Sequence, residues 1–394
     1  METTIVNARV FDGIDRPVWT SVRFADGIIT ECAASSAAIE GDVVIDAGGA
    51  TLLPGLIDSH VHLVPGAQVH SLNAGVTTVA DMFSTPDVLQ AAMAQARSRV
   101  DVADVISSGI GATSPKGHPT AMYPPFPTVT SPEEADRFVD ERIGEGSDFL
   151  KVFSGIDGRG PSLDAETITA LVTAAHTRGL VVVAHVNTVR DVHQVVEAGV
   201  DVVAHVPVDA DLDAGLIERM VAAGVAVGPT LVTRENLLRG PSGAASHRSG
   251  EVWFARARRN VRRLAEAGVV LLAGTDAPNP GTPFGTSLFR ELELLVECGL
   301  SPTQALAAAT SEPARVFRLS DRGRVDVGRR ADLILVDGDP TSNLDAMRSI
   351  TRIWRAGVPY TPRPFVPTPP EVQQLEAFDG RVAKAVAVIR NRRF

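Results

Sequence analysis

The chain has 394 residues, of which 44% are hydrophobic and 21% charged, and its formal net charge is −10 at pH 7. This length is enough for one large domain of about 250 residues and a smaller one. The acidic residues are spread along the chain, which argues against nucleic acid or an anionic membrane as a partner. Cys32 and Cys298 lie far apart in the sequence, so we expect neither a disulfide framework nor a cysteine metal site.

The chain does not begin with a basic segment followed by a hydrophobic run of signal length. Its uninterrupted apolar stretches are all shorter than the roughly 18 residues of a membrane span. We therefore expect a soluble, cytoplasmic protein whose partner is a small molecule.

The two ends of the chain share a β pattern. Short alternating strands are predicted at residues 4–10, 21–24, 28–32 and 43–46, with Asp-Gly turns at residues 12–13 and 26–27. A matching pattern returns within residues 323–365. Residues 1–54 and 323–365 are therefore predicted to form one composite β-sandwich domain.

Residues 55–322 repeat a unit in which a β-branched apolar run is followed by a loop and an amphipathic segment. Eight such units predict a closed (β/α)8 barrel of the TIM type in an α/β protein, with an open doubly wound sheet as the structural alternative. The predicted strands are residues 56–60, 77–80, 102–107, 149–153, 181–185, 202–205, 226–229 and 269–274.

A proline-rich linker, residues 359–370, leads into the last predicted element, an amphipathic helix within residues 366–394. Its apolar residues recur at helical spacing. We expect this stripe to dock on the barrel or on a second subunit, which would make the protein a homo-oligomer, rather than on a membrane. The stripe consists of Val372, Leu375, Val382, Val386 and Ile389.

His60 and His62 end the first barrel strand at positions i and i+2. Side chains alternate along a strand, so both imidazoles point to the same side. Two neutral imidazoles suit a borderline divalent ion such as Zn²⁺. A His-x-His pair alone arises often by chance, so the rest of the chain must decide.

Lys151, His185, His205 and Asp276 lie at the carboxyl ends of other predicted strands, where barrel enzymes place their chemistry. Each alone has an ordinary structural explanation, such as a hydrogen-bonded core histidine or a helix cap. Together they are hard to explain in that way, because buried polar groups cost free energy unless something pairs them. A pair of metal ions would satisfy all of them at once.

The pattern resembles the amidohydrolase superfamily over nearly the whole chain. The flanking segments are similar as well, from Pro54 to Asp58, Gly75 to Val79 and Gly328 to Ile334. The segment from Phe149 to Gly155 and the Ala-His pairs at 184–185 and 204–205 resemble the branch with imidazolonepropionase-like proteins and metal-dependent Xaa-Pro dipeptidases. The residues that carry the resemblance are His60, His62, Lys151, His185, His205 and Asp276.

The resemblance implies two divalent metal ions, for which Zn²⁺ is our prediction. His60, His62 and Asp276 would bind the first ion, His185 and His205 the second. Lys151 would be shared, because a buried lysine with a lowered pKa can add CO₂ to form an anionic carbamate. A lysine paired with an acidic neighbour or a substrate is the alternative. Lys151 and Asp276 are the predicted catalytic residues.

Two bridged metal ions would lower the pKa of a shared water, so that the nucleophile is a hydroxide, and Asp276 would pass its proton to the leaving group. We predict hydrolysis of an amide-type C–N bond in an N-acyl compound, a cyclic amide or an Xaa-Pro-like dipeptide. Deamination is less favoured, since the glutamate expected just after His185 is replaced by Val186 and Asn187. A lactone or ester hydrolase on the same site and a catalytically silent binding subunit remain as alternatives.

Loops after the strands are expected to bind the substrate. The long segment from Ser108 to Pro127 contains His118 and Tyr123, which either contact the substrate or rigidify the loop. Thr230 and Arg234 follow the seventh strand, where an arginine either binds a carboxylate with two hydrogen bonds or lies solvated at the surface. The mouth carries few charges, so a substrate with apolar surface is expected.

Overall fold

The computed structural model describes residues 2–16, 19–34, 43–155, 161–239 and 248–390, without the side chains of 238–239, 248–249 and 383–390. Within these ranges, the helices lack the combination of length and hydropathy that a bilayer-crossing segment needs.

The strands alternate with helices from residue 56 onward. The strands are β1 (Thr3–Val6), β2 (Arg9–Val10), β3 (Ser21–Ala25), β4 (Ile28–Ala33), β5 (Val43–Asp46), β6 (Thr51–Pro54), β7 (Leu56–Val61), β8 (Val76–Asp81), β9 (Asp104–Ser107), β10 (Leu150–Phe153), β11 (Val182–His185), β12 (Val202–Ala204), β13 (Ala226–Gly228), β14 (Leu333–Val336), β15 (Ile350–Arg355) and β16 (Val358–Tyr360). The helices are α1 (Ala67–Asn73), α2 (Pro86–Ser98), α3 (Ala135–Glu145), α4 (Ala165–Thr177), α5 (Val189–Glu197), α6 (Ala214–Ala223), α7 (Leu231–Arg239), α8 (Arg248–Glu266), α9 (Thr286–Glu297), α10 (Pro302–Ala308), α11 (Ser311–Val316) and α12 (Pro369–Arg390). Short 3₁₀ turns cover Pro132–Glu134 and Leu344–Arg348.

The two chain ends meet in a pair of sheets. One has the strand order β4-β3-β1-β5, and the other has the order β16-β15-β14-β6-β2. In the second sheet β6 pairs antiparallel with β14, with Leu53 opposite Ile334. The side chains of Phe24 and Trp354 meet edge to face at 6.1 Å in the core of this unit. Residues from both ends of the chain therefore build a single β unit.

Seven parallel strands form the central layer, in the orders β7-β8-β9 and β10-β11-β12-β13. Ala112 bridges to β10 on one side. On the other side, residues 271–277 contact both β13 and β7. The strands are rich in buried valine, as expected for parallel strands covered on both faces. The predicted α/β barrel with an appended β domain is thus confirmed as the fold class.

The prediction of a regular eighth strand at residues 269–274 is wrong. This segment makes isolated bridges instead, from Leu271 to Val227 and from Ala277 to Val61. Asp276 has a left-handed backbone with φ of 58°, and Pro278 follows it. Asp276 lies between the two bridges and Pro278 directly after the second, so the bridges do not continue as one regular ladder.

The β unit is attached at the amino-terminal ends of the barrel strands. Gly55 alone separates β6 from β7, and a Cβ atom on it would lie 2.3 Å from Thr77 Oγ1. At the start of β9, Asp104 accepts hydrogen bonds from Arg322 and Arg330 at 2.6 and 2.8 Å. Although burial opposes ionisation, these two guanidinium groups hold the pKa of Asp104 below its usual value.

The last helix, α12, extends to the opposite end of the barrel. Val382 is 7% exposed, whereas Val372 on the same helix is 38% exposed. Only one part of the predicted apolar stripe therefore packs against the protein. The side chains of Val386 and Ile389 lie outside the described residues.

Candidate metal centre

The two histidines of the first barrel strand lie side by side. His60 is buried near the end of β7 and His62 follows the strand directly, with ring centroids 5.5 Å apart. Gly274 makes room for His60, because a Cβ atom there would lie 2.8 Å from His60 Cβ.

Asp276 faces both imidazoles. Its Oδ1 lies 3.0 Å from His62 Nε2 and 3.4 Å from His60 Nε2. The backbone N–H of Asp276 donates to the His60 carbonyl at 2.7 Å, which fixes the carboxylate against β7. Ligand atoms of His60, His205 and Asp276 all lie within 4.8 Å of one another, so one ion could contact all three.

His185 ends β11 and His205 follows β12. Their ring centroids are 4.9 Å apart, and His205 lies 4.8 Å from His60. Burial lowers the pKa of both His60 and His205 well below the usual value, and neighbouring cationic groups act in the same direction. Neutral imidazoles keep the lone pair that a metal ion requires.

Lys151 lies on β10 with only 1% of its surface exposed. Its Nζ has no hydrogen-bond partner among the described residues. Burial lowers the pKa of the amine from 10.5 to about 7, even though Asp276 acts in the opposite direction. A buried ammonium without hydrogen-bond partners is costly, so this position favours the neutral amine.

Further side chains contact the ligands from behind. Thr230 Oγ1 is hydrogen-bonded to His205 Nδ1. Tyr123 Oη lies 3.4 Å from His62 Nδ1, and Asn187 Nδ2 lies 2.9 Å from His185 Nε2. Such contacts orient a ligand ring and select its tautomer. Thr230, predicted from the sequence to contact substrate, is therefore placed behind His205.

Three buried carboxyl groups near the site were not predicted from the sequence. Asp58 accepts hydrogen bonds from Thr275 Oγ1 at 2.7 Å and from the Thr275 amide at 2.9 Å. Asp81 accepts from the Leu63 amide at 3.0 Å, just after the His-x-His segment. Burial raises the pKa of Asp58 to about 7 and raises that of Asp81. The sequence signal that could have identified these carboxyl groups is a charged residue inside an apolar strand, as at positions 58 and 81.

The third carboxyl group, Glu291 on α9, supports the loop after β13. It accepts hydrogen bonds from the Leu231 and Val232 amides at 3.0 and 2.7 Å, at the start of α7. Arg234 lies one turn further along this helix. Burial raises the pKa of Glu291 to about 8.

The six predicted ligands surround a cavity of about 270 Å³. Arg234, His118 and Tyr123 also line it, so three of the four predicted substrate-binding residues border the same space. The His118 ring contacts His185 at a centroid distance of 4.9 Å and meets Phe153 edge to face at 5.5 Å. The cavity is also lined by Phe378 and Val382 of α12, which were not predicted as site residues.

This donor set fits divalent metal ions. Four imidazoles and one carboxylate converge at the carboxyl ends of barrel strands, and burial keeps the two most enclosed rings neutral. Imidazole and carboxylate together are typical ligands of zinc and similar ions. The buried amine of Lys151 has no hydrogen-bond partner in the described structure and lies 5.8 Å from the centroid of the Phe153 ring. The fold and the site define the class of metal-dependent barrel hydrolases.

Comparisons with known proteins agree. Residues 51–362 match the amidohydrolase family. An imidazolonepropionase of Streptomyces griseus is 28% identical over 396 aligned positions, which span 89% of this chain and 91% of that protein. The chain belongs to the amidohydrolase family, so the predicted family and the enzyme class, a metal-binding hydrolase, are confirmed.

Solved structures share the fold. A Xaa-Pro dipeptidase with methionine bound in its active site superposes with a TM-score of 0.79 and 22% identity, over 91% of this chain and 100% of that one. A molinate hydrolase gives a TM-score of 0.78 and 21% identity, over 93% and 96% of the two chains.

Proposed function

We propose that this protein hydrolyses an amide-type C–N bond in a small molecule that carries a carboxylate, such as an N-acyl amino acid, a cyclic amide or an Xaa-Pro-like dipeptide. The observation that carries the proposal is the convergence of six side chains on one cavity, including a buried lysine amine without a hydrogen-bond partner among the described residues. The similarity to an imidazolonepropionase and the fold shared with a Xaa-Pro dipeptidase support it.

Two divalent metal ions, with zinc as the proposed metal, fit the donor set. His60, His62 and Asp276 would hold one ion, and His185 and His205 the other. We propose that Lys151 reacts with CO₂ as the neutral amine: its nitrogen forms a bond to carbon while one C=O π bond of CO₂ opens, one proton leaves, and the resulting carbamate would be an anionic ligand available to both ions. The lowered pKa of this amine, about 7, supports that reaction near neutral pH.

When bound, such a metal pair supplies a water of lowered pKa and polarises the substrate carbonyl. Residues of the chain would transfer the proton and limit access of water. The Asp276 carboxylate can accept a proton at Oδ2 while Oδ1 faces the histidines, and can then deliver that proton to the leaving nitrogen. The apolar rings of Phe153 and Tyr123 border the cavity and reduce access of bulk water.

Arg234 is the proposed anchor for the substrate carboxylate. Its side chain lines the cavity and is close enough to lower the pKa of His60 and His205. A guanidinium can bind a carboxylate through two parallel hydrogen bonds. A dipeptide ends in a carboxylate, so a dipeptidase-like reaction meets this requirement. His118 lies beside His185 and is the proposed contact for the scissile group.

Metal analysis and a substrate panel test the proposal together. The wild-type protein should contain up to two zinc ions per chain and should hydrolyse members of a panel of N-acyl amino acids, cyclic amides and Xaa-Pro dipeptides. His60→Ala should lose metal and activity. His176→Ala, at an exposed histidine paired with Asp201, is the matched control and should keep both.

The same panel decides between the alternatives. Fewer than one metal ion per chain in correctly loaded protein would refute the two-metal site. Turnover of lactones or esters without amides would favour the ester hydrolase, and metal binding without any turnover would favour a silent binding subunit. The cytoplasmic location expected from the sequence stays a prediction.

A further inference from the structure

The carboxyl-terminal helix α12 lies beside two cavities. The first is the cavity of the metal centre, which Phe378 and Val382 border. The second has a volume of about 770 Å³ and lies between α12, the segment before it, and the α1 and α2 region of the barrel. Phe378 and Tyr123 line both cavities. These two aromatic side chains therefore separate one space from the other.

Apolar side chains border the second cavity next to Tyr123 and Phe378. Phe83 stacks on Tyr123 with ring centroids 4.1 Å apart and also lines the second cavity. Val64, Val88 and Phe365 continue this apolar wall. Of the charged groups in the lining, Arg363 is paired with Asp101 at 2.7 Å, whereas the Arg381 Nε has no hydrogen-bond partner among the described residues. An apolar substituent that reaches this wall would gain apolar contacts there.

We propose that the second cavity is an extension of the substrate site, and that it takes the apolar acyl or aryl group of the substrate remote from the carboxylate. Phe378 is the specificity-determining residue, since its ring limits how far such a group extends from the metal centre. Tyr123 is held in place by the Phe83 ring and by its contact with His62. Phe378 on α12 is therefore the residue whose replacement would change the opening between the two cavities. The inference rests on the proposed hydrolase function.

Removal of the Phe378 ring should connect the two cavities. In Phe378→Ala, longer acyl groups gain room, while short ones lose an apolar contact. A methylene in a hydrophobic pocket changes discrimination by about 10-fold or more. We therefore expect the ratio of kcat/KM for N-decanoyl over N-acetyl amino acids to rise at least about 10-fold. An unfolded or loosened variant would lose both activities and would not reverse the preference.

Val372→Ala is the matched control, because Val372 lies on the same helix, is exposed, and borders neither cavity. It should keep the wild-type ratio. A second measurement does not require turnover: calorimetric binding of alkyl hydroxamates of two to ten carbons to the zinc-loaded protein. Phe378→Ala should bind the long hydroxamates more tightly relative to acetohydroxamate.

The two measurements separate the two proposals. A shift among hydroxamates without hydrolysis of any N-acyl amino acid, cyclic amide or Xaa-Pro dipeptide would support the extended site and refute the proposed reaction. A second outcome would overturn the inference and leave the proposed reaction standing. In that case substrates are hydrolysed, but the chain-length preference of Phe378→Ala stays within twofold of the wild-type preference for both N-acyl substrates and hydroxamates.

Discussion

Replacement of Lys151 by methionine should stabilise the metal-free protein. The folded state lowers the pKa of this amine from 10.5 to about 7 by burial. Each pKa unit corresponds to about 1.36 kcal/mol, so near pH 7 the buried lysine costs about 4 kcal/mol relative to an uncharged side chain of similar shape. Methionine is unbranched and apolar and can occupy the same space.

The pH dependence has a definite sign. Between pH 7 and 10.5 the unfolded chain binds more protons at Lys151 than the folded chain does. The stability of the metal-free wild type should therefore rise with pH across this window, whereas Lys151→Met should lack that rise. Unfolding entropy is about 2.1 cal/mol/K per residue, so about 4 kcal/mol corresponds to a Tm difference of about 5 °C for a chain of 394 residues.

Differential scanning calorimetry on chelator-treated protein at pH 7 and 9.5 measures both effects. Addition of zinc and bicarbonate should then reverse the order at pH 7, since only the wild type can form the carbamate and gain stability from a shared ion. The reasoning is refuted if metal-free Lys151→Met melts below the wild type at pH 7, or if both proteins show the same dependence on pH.

Three further variants test single contacts. Asp276→Asn should lower kcat/KM by about 100-fold or more in steady-state assays, because the amide cannot accept the proton, and a smaller loss would exclude it as the proton carrier. Arg234→Met should raise KM about 10- to 100-fold for substrates with a free carboxylate but not for their methyl esters, and equal effects on both would contradict the anchor role. Glu291→Ala leaves the Leu231 and Val232 amides unsatisfied and should cost about 2–4 kcal/mol in thermal unfolding, whereas an unchanged Tm would show that water replaces the carboxylate.

The barrel strands and the six converging residues could be predicted because the signals are local. A short β-branched run predicts a strand, and a polar residue at its end falls at the carboxyl-terminal face by the geometry of the fold. His185, the last residue of β11, was placed in this way. The irregular segment around Asp276 was not, since its left-handed backbone depends on hydrogen bonds to β7 that have no local signature.

The positions of the supporting carboxyl groups and of α12 beside the cavity depend on contacts between residues that are far apart in the chain. Glu291 contacts backbone amides about sixty residues earlier in the chain. The periodicity of α12 predicts an apolar stripe, but not the surface that it meets. The sequence therefore did not identify Phe378 as a site residue, although it borders the metal-centre cavity.

The pairing of β6 with β14 has a consequence for how the protein is made. Leu333 lies opposite Pro54, one residue before the glycine that leads into the strand carrying His60. During synthesis from the amino terminus, the first histidine strand leaves the ribosome long before its anchoring partner does. The metal centre therefore completes its support only after β14 has been synthesised, and earlier loading with metal ions would have to occur on a chain that lacks this pairing.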